Sequence, residues 1–231
     1  MAGDEHLTSW AGLHMTEVPH GFVGRWLEAT AGIARPLARA GVTPNSVTVA
    51  ALGAAAAAVP LAAVPGRRGA AAACVAATAA GVLDGLDGAV AVQSGRTTSV
   101  GFLLDSVLDR LADAALPAAL AVSVATRCPS RARQANRLAV ASAAAAWWLE
   151  YVRARGTLAL PPERQVVTPG ERPTRIVLAA VGLGLPSLAL AALRGQVVIV
   201  GGSALYLFGW SLRRLSTHDR SPAPDRPTPT G

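Results

Sequence analysis

The chain is predicted to be all-α: a polytopic membrane protein of six transmembrane helices preceded by an interfacial amphipathic helix. Three observations predict this. Of 231 residues, 52% are hydrophobic and only 15% charged, and the mean hydropathy is +0.38; that balance suits helices surrounded by lipid. The apolar residues gather in six long stretches whose apolar character runs all round the helix, whereas a surface helix of a soluble bundle keeps a polar face. Ahead of them lies one segment that does show a single apolar stripe.

Residues 1–19 open with Met-Ala-Gly-Asp-Glu and lack the apolar core of a cleavable signal peptide; they are expected to be a disordered tail. Over residues 20–41, Phe22, Trp26, Ile33 and Leu37 share one stripe, while Arg25, Glu28, Arg35 and Arg39 lie elsewhere. Such a helix lies in the headgroup region, with a kink expected at Pro36. Gly41-Val42-Thr43-Pro44-Asn45 turns the chain into the first span. The spans are expected near 46–65, 69–93, 98–124, 136–152, 175–193 and 196–212. The tail at 216–231, rich in Pro, Asp, Arg and Thr, is expected to be disordered. This leaves one membrane domain, 20–215.

Charge orients the bundle. All 21 basic residues are Arg. If the N-terminus is cytoplasmic, thirteen arginines fall in cytoplasmic segments and seven in outside loops, so the positive-inside rule favours cytoplasmic N- and C-termini. Trp26, Trp147, Trp148 and Trp210 then fall near one face, as an interfacial belt does. The net charge of +7 is spread over loops and ends. No soluble basic domain carries it, which argues against nucleic acid as partner and for an anionic membrane surface or a phosphorylated substrate. Cys74 and Cys128 have no metal-ligand spacing. His6, His14, His20 and His218 lie outside the spans, which argues against a His-based triad or metal site in the membrane.

The chemistry is expected at Asp84, Asp87, Asp105 and Asp109. Carboxylates within a bilayer are costly unless compensated. Asp84 and Asp87 are i,i+3 and Asp105 and Asp109 are i,i+4, so each pair shares a helix face. With a turn near Ser94, Gly95 and Arg96, Asp87 faces Asp105 and Asp84 faces Asp109 across a hairpin, at roughly 13 Å and 19 Å from Arg96 along the axis. Two matched rungs of carboxylates make an oxygen-ligand site for a divalent cation, Mg2+ or Mn2+. Gly85, Gly88 and Gly101 beside them either let helices pack closely or leave room for a ligand. Asp113, one turn further, suits an ion pair with Arg110 or another helix. The acidic cluster would also suit a membrane cation carrier, but it gathers at one end of one hairpin and does not line a path across the membrane.

The run Asp84-x2-Asp87-Gly88-x2-Ala91-Val92-x8-Gly101-x3-Asp105-x3-Asp109 closely resembles the signature of the CDP-alcohol phosphatidyltransferases. Glu150-Tyr151-Val152-Arg153-Ala154-Arg155 and Gly170-Glu171-Arg172-Pro173-Thr174-Arg175 resemble the acceptor-side region of bacterial phosphatidylinositol phosphate synthases and their relatives, a group that includes phosphatidylglycerophosphate synthase-like members. One departure is Val92, where the family usually carries Arg. The resemblance implies metal-dependent transfer of a phosphatidyl group from CDP-diacylglycerol to an alcohol, with release of CMP, in phospholipid biosynthesis at the plasma membrane. It implies metal held by Asp84, Asp87 and Asp105, with Asp109 as general base or as a further ligand. It also implies the CDP-lipid against Gly85, Gly88, Ala91 and Gly101, and a cytoplasmic-facing site in a homodimer. Arg153, Arg155, Arg172 and Arg175 either bind an acceptor phosphate through paired hydrogen bonds or serve as positive-inside anchors. Inositol phosphate and glycerol 3-phosphate are the leading acceptors; serine or phosphatidylglycerol would need fewer arginines.

Overall fold

The computed structural model describes residues 21–159 and 166–218; the predicted tail at 1–19, most of that at 216–231, and His6, His14 and His20 lie outside them. Among the described residues seven α-helices follow in order: α1 (Gly21–Arg39), α2 (Pro44–Ala63), α3 (Gly66–Ser94), α4 (Ser99–Arg127), α5 (Ala132–Ala159), α6 (Arg172–Gly184) and α7 (Ala189–His218). Short 3-10 turns at Pro129–Arg131 and Pro186–Leu188 join α4 to α5 and α6 to α7. Among the described residues there is no strand.

Local chemistry sets the helix ends that frame the site. Thr43 caps α2, its hydroxyl accepting from the Ser46 N–H at 3.2 Å, with Pro44 in the first turn. α3 ends where Gly95 adopts φ +63°, with Gly95 N–H donating to the Val92 carbonyl and Arg96 N–H to that of Ala91. This left-handed cap favours glycine. Thr98 then caps α4, accepting from the Gly101 N–H at 3.0 Å. The turn predicted at Ser94–Arg96 therefore stands.

Among the described residues three segments are long and apolar enough to cross a membrane: Pro44–Ala63, Gly66–Ser94 and Pro186–Thr217. Six spans were predicted. α4 carries Asp105, Asp109, Arg110 and Asp113 along its length. The predicted helix over 175–193 is broken. Pro186 disfavours helical backbone at Leu185, which sits at φ −119°, ψ 82°, and α6 stops at Gly184. Its 13 residues rise about 20 Å, less than a ~30 Å hydrocarbon core. α7 also continues to His218, so Ser216 and Thr217 are helical, their hydroxyls donating to the Arg213 and Arg214 carbonyls.

The hairpin geometry differs from expectation too. α3 and α4 barely touch each other; α2 packs against both. The main core is built largely from alanine, with Leu116, Leu120, Leu183 and Leu193 filling the spaces between, as close approach of membrane helices requires. A second cluster of Leu149, Val152, Val200 and Leu207 joins α5 to α7. A third, under the aspartates, joins Ala34 of α1 to Val47, Leu86, Ala89 and Val90. Thus α1 is helical as predicted, runs through Pro36, and packs on α3.

α6 fits only because of its glycine. A Cβ at Gly182 would lie 2.6 Å from Leu120 Cδ2 and 2.8 Å from Ala192 Cβ. Gly182→Val is expected to cost about 1–3 kcal/mol through overpacking, read as a lower melting temperature in detergent; unchanged melting would contradict the packing described.

Candidate active site

The aspartates meet at the turn end of α3 and α4. Asp84, Asp105 and Asp109 each bring a carboxylate oxygen within 4.8 Å of the other two, a cluster that could hold a metal ion. The predicted pairing of Asp84 with Asp109 is thus present, although the helices bearing them barely touch. Asp87 lies outside that trio but adjoins it, its carboxyl facing that of Asp105 as the hairpin register predicts. It is buried, its Oδ2 accepts from the Thr48 hydroxyl at 2.8 Å, and its Oδ1 accepts from the Gly88 N–H at 2.6 Å. Those bonds fix its rotamer beside the cluster. Hard oxygen donors from two helices suit Mg2+ or Mn2+.

A cavity of about 460 Å³ opens beside the carboxylates. Gly85, Gly88, Ala91 and Val92 form its α3 wall. A Cβ at Gly88 would meet nothing within 4 Å, so at that position the wall is backbone facing open space. Gly101 is not part of the wall: a Cβ there would come within 3.1 Å of Asn45 Oδ1 and Thr98 Oγ1, so its place is in the cap of α4.

The four predicted arginines do not converge. Arg172, at the start of α6, reaches across the cavity and pairs with both Asp84 and Asp109. Arg153 lines the same cavity and holds Glu171 through two hydrogen bonds of 2.8 and 2.6 Å. Arg175 is buried beneath, 3.4 Å from Asp113 and 3.3 Å from Glu150. Arg155 is exposed and lines a different cleft. Two residues beyond Arg153 is about 200° around a helix, so the two side chains cannot share a cavity.

Several participants were not anticipated. Glu150 and Arg110 line the cavity and pair at 3.8 Å. Arg110 also pairs with Asp113 at 3.4 Å, as the spacing predicts. Below them Gln196 accepts from Ser142 at 3.0 Å and donates to the Arg175 carbonyl at 2.9 Å, tying α5, α6 and α7 together. Glu150 was visible as an acid at the end of an apolar stretch. Thr48 and Gln196 carry no sequence signal of their own.

Glu171 shows how the rim is held. Burial pushes its pKa up, but the Arg153 hydrogen bonds and those from the Thr168 N–H and hydroxyl outweigh burial and hold it below the usual value. A depressed folded pKa contributes stability that is complete above the unfolded value of about 4.3 and is lost as pH falls through the folded value. Glu171→Gln is therefore expected to cost about 2 kcal/mol at pH 7 and to lose less stability on acidification than the wild type. Parallel melting-versus-pH curves would contradict this.

A family model for CDP-alcohol phosphatidyltransferase matches residues 41–208. Among solved structures, the chain resembles phosphatidylinositol phosphate synthase of Mycobacterium tuberculosis. To that protein in complex with manganese and citrate it is 25% identical, with a TM-score of 0.59, covering 86% of this chain and 93% of that one. To the same enzyme with CDP-DAG bound it is 25% identical with a TM-score of 0.55, covering 86% and 98%. In the apo form the values are 26% identity, a TM-score of 0.56, and 84% and 99% coverage. No curated protein sequence matches significantly. The matched region spans the aspartates, the cavity and both arginine-bearing segments: this chain is a membrane enzyme that belongs to the CDP-alcohol phosphatidyltransferase family.

Proposed function

We propose that the protein transfers a phosphatidyl group from CDP-diacylglycerol to the hydroxyl of a small phosphorylated alcohol, inositol phosphate or glycerol 3-phosphate, releasing CMP. The observation that carries this reading is the meeting, in one cavity, of the aspartate cluster with Arg153 and Arg172. Resemblance to a synthase solved with manganese and with CDP-DAG supports it.

In this reading Asp84, Asp87, Asp105 and Asp109 would hold Mg2+ or Mn2+, which when bound supplies charge neutralisation to the diphosphate. The chain's own residues supply the rest. The wall at Gly85, Gly88 and Ala91 admits the cytidine diphosphate close to α3 backbone. Asp109 takes the proton from the acceptor hydroxyl. The acceptor oxygen forms a bond to the lipid-side phosphorus as the bond from that phosphorus to the CMP oxygen breaks, and CMP departs. Arg172 and Arg153 are placed to pair with the acceptor phosphate. Arg175, held by Asp113 and Glu150, fixes the floor and does not reach the substrate. Val92 leaves the wall without the cation that the family usually has there.

The same reading takes residues 20–215 as one membrane domain of six crossings, the short α6 crossing where the bilayer thins to meet it, in the plasma membrane, with α1 along the interface. Both termini and the aspartate cavity face the cytoplasm, and the protein is a homodimer. The arginine bias and the family resemblance support this. Exposed Val100, Phe102, Leu103 and Val107 on α4 suit contact with lipid or a second copy.

The test is CMP release by purified protein with Mg2+ or Mn2+ and, separately, inositol phosphate, glycerol 3-phosphate, serine or phosphatidylglycerol. Release is expected with a phosphorylated acceptor. Asp109→Asn should lower it by about 10²–10⁴-fold, and Arg172→Gln should raise the KM for the acceptor more than it lowers kcat. Release with serine alone, or an active Asp109→Asn protein, would contradict the assignment.

A further inference from the structure

A second cleft, of about 410 Å³, lies between the C-terminal halves of α5 and α7 and shares no lining residue with the aspartate cavity. Its walls are Trp148, Tyr151, Leu158, Phe208 and Leu212, with Gly156 and Ser211 at its base. These apolar side chains are open to the surroundings: Tyr151 is 64%, Leu158 78% and Leu212 52% exposed. Trp148 and Phe208 stand 6.0 Å apart, ring centre to ring centre.

One charged residue lines this cleft, Arg155. It is exposed and has no hydrogen-bond or ion-pair partner among the described residues. Its level in the bundle is set by Arg153. Two residues along a helix is a rise of about 3 Å, so Arg155 stands level with the aspartate cavity but on the opposite side of α5. A site that meets a CDP-lipid lies at headgroup depth; for this level alone the inference rests on the function proposed above. Nearby on α7, Arg214 lies 5.5 Å over the Trp210 ring, a pairing typical of the membrane interface.

We propose that this cleft is a binding site for an anionic bilayer phospholipid, its phosphate on Arg155 and an acyl chain along the wall from Trp148 to Leu212. Charge complementarity selects this occupant over a second copy of the chain. Among the residues whose side chains are described, the acids are Asp84, Asp87, Asp105, Asp109, Asp113, Glu150 and Glu171. All face the aspartate cavity or pair beneath it, so the described surface offers no carboxylate to a neighbour's Arg155. A lipid phosphate supplies the charge, and its chain covers apolar surface that a water-soluble anion would leave bare.

The experiment is thermal unfolding of the purified full chain in detergent with added phosphatidylglycerol, phosphatidylcholine or glycerol 3-phosphate. Phosphatidylglycerol is expected to raise the melting temperature by about 4 °C over phosphatidylcholine, and any rise with glycerol 3-phosphate, which belongs to the aspartate cavity, is expected to persist in Arg155→Gln. Arg155→Gln should abolish the difference. Gly156→Leu, which fills the cleft where a Cβ would sit 3.6 Å from Ser211 Oγ, should abolish it with the arginine in place. Stabilisation by CDP-diacylglycerol belongs to the other cavity and should persist in both variants; its absence from wild type would count against the proposed function and not against this cleft. Equal effects of the two phospholipids, a glycerol 3-phosphate effect lost in Arg155→Gln, a phosphatidylglycerol effect that survives Arg155→Gln, or a change from dimer to monomer in that variant in place of a lipid effect would overturn the proposal.

Discussion

Carboxylates gathered inside an apolar bundle demand positive charge, and the architecture around the cavity answers that demand. Seven acids, Asp84, Asp87, Asp105, Asp109, Asp113, Glu150 and Glu171, lie in or directly beneath the cavity. Four arginines, Arg110, Arg153, Arg172 and Arg175, pair with members of that set. Seven less four leaves three formal negative charges. Two like charges within 4.8 Å of each other repel by at least roughly 3–4 kcal/mol at an effective dielectric of 20, so the trio calls for a cation. Arg172 takes that position across Asp84 and Asp109, and the remaining deficit suits a divalent ion.

The rest of the fold holds this charge pattern in place. α2 keeps α3 and α4 apart and sends Thr48 to orient Asp87. The caps at Gly95 and Thr98 set where the two acidic helices meet. The Arg153–Glu171 pair ties the end of α5 to the start of α6, which positions Arg172. The Gln196 bridge then anchors Arg175 from below. Alanine and glycine in the core let these helices approach closely enough for short polar contacts to form between them.

The sequence was most informative where chemistry is costly. Aspartates in apolar stretches have few explanations, and their spacing alone predicted which face and which partners. The turn at Gly95 was readable because a left-handed cap favours glycine. What eluded sequence reasoning depended on contacts between distant elements. Hairpin pairing could not reveal that α2 separates α3 from α4, and no local signal marks Thr48 as the partner of Asp87. Pro186 did signal a break, but the apolar run around it concealed the end of α6. Membrane side does not decide the role of an arginine; helix rotation does, sending Arg153 to the cavity and Arg155 to the opposite cleft.

Titration of purified protein with Mn2+, followed by the loss of the free-ion resonance, tests the claim that the aspartate cluster is a cation site balanced by Arg172. Saturable binding is expected. It should be lost in a protein carrying both Asp84→Asn and Asp105→Asn, and should be tighter in Arg172→Gln, where the competing guanidinium is gone. Equal binding by the wild type and the double variant, or weaker binding on removal of Arg172, would contradict it.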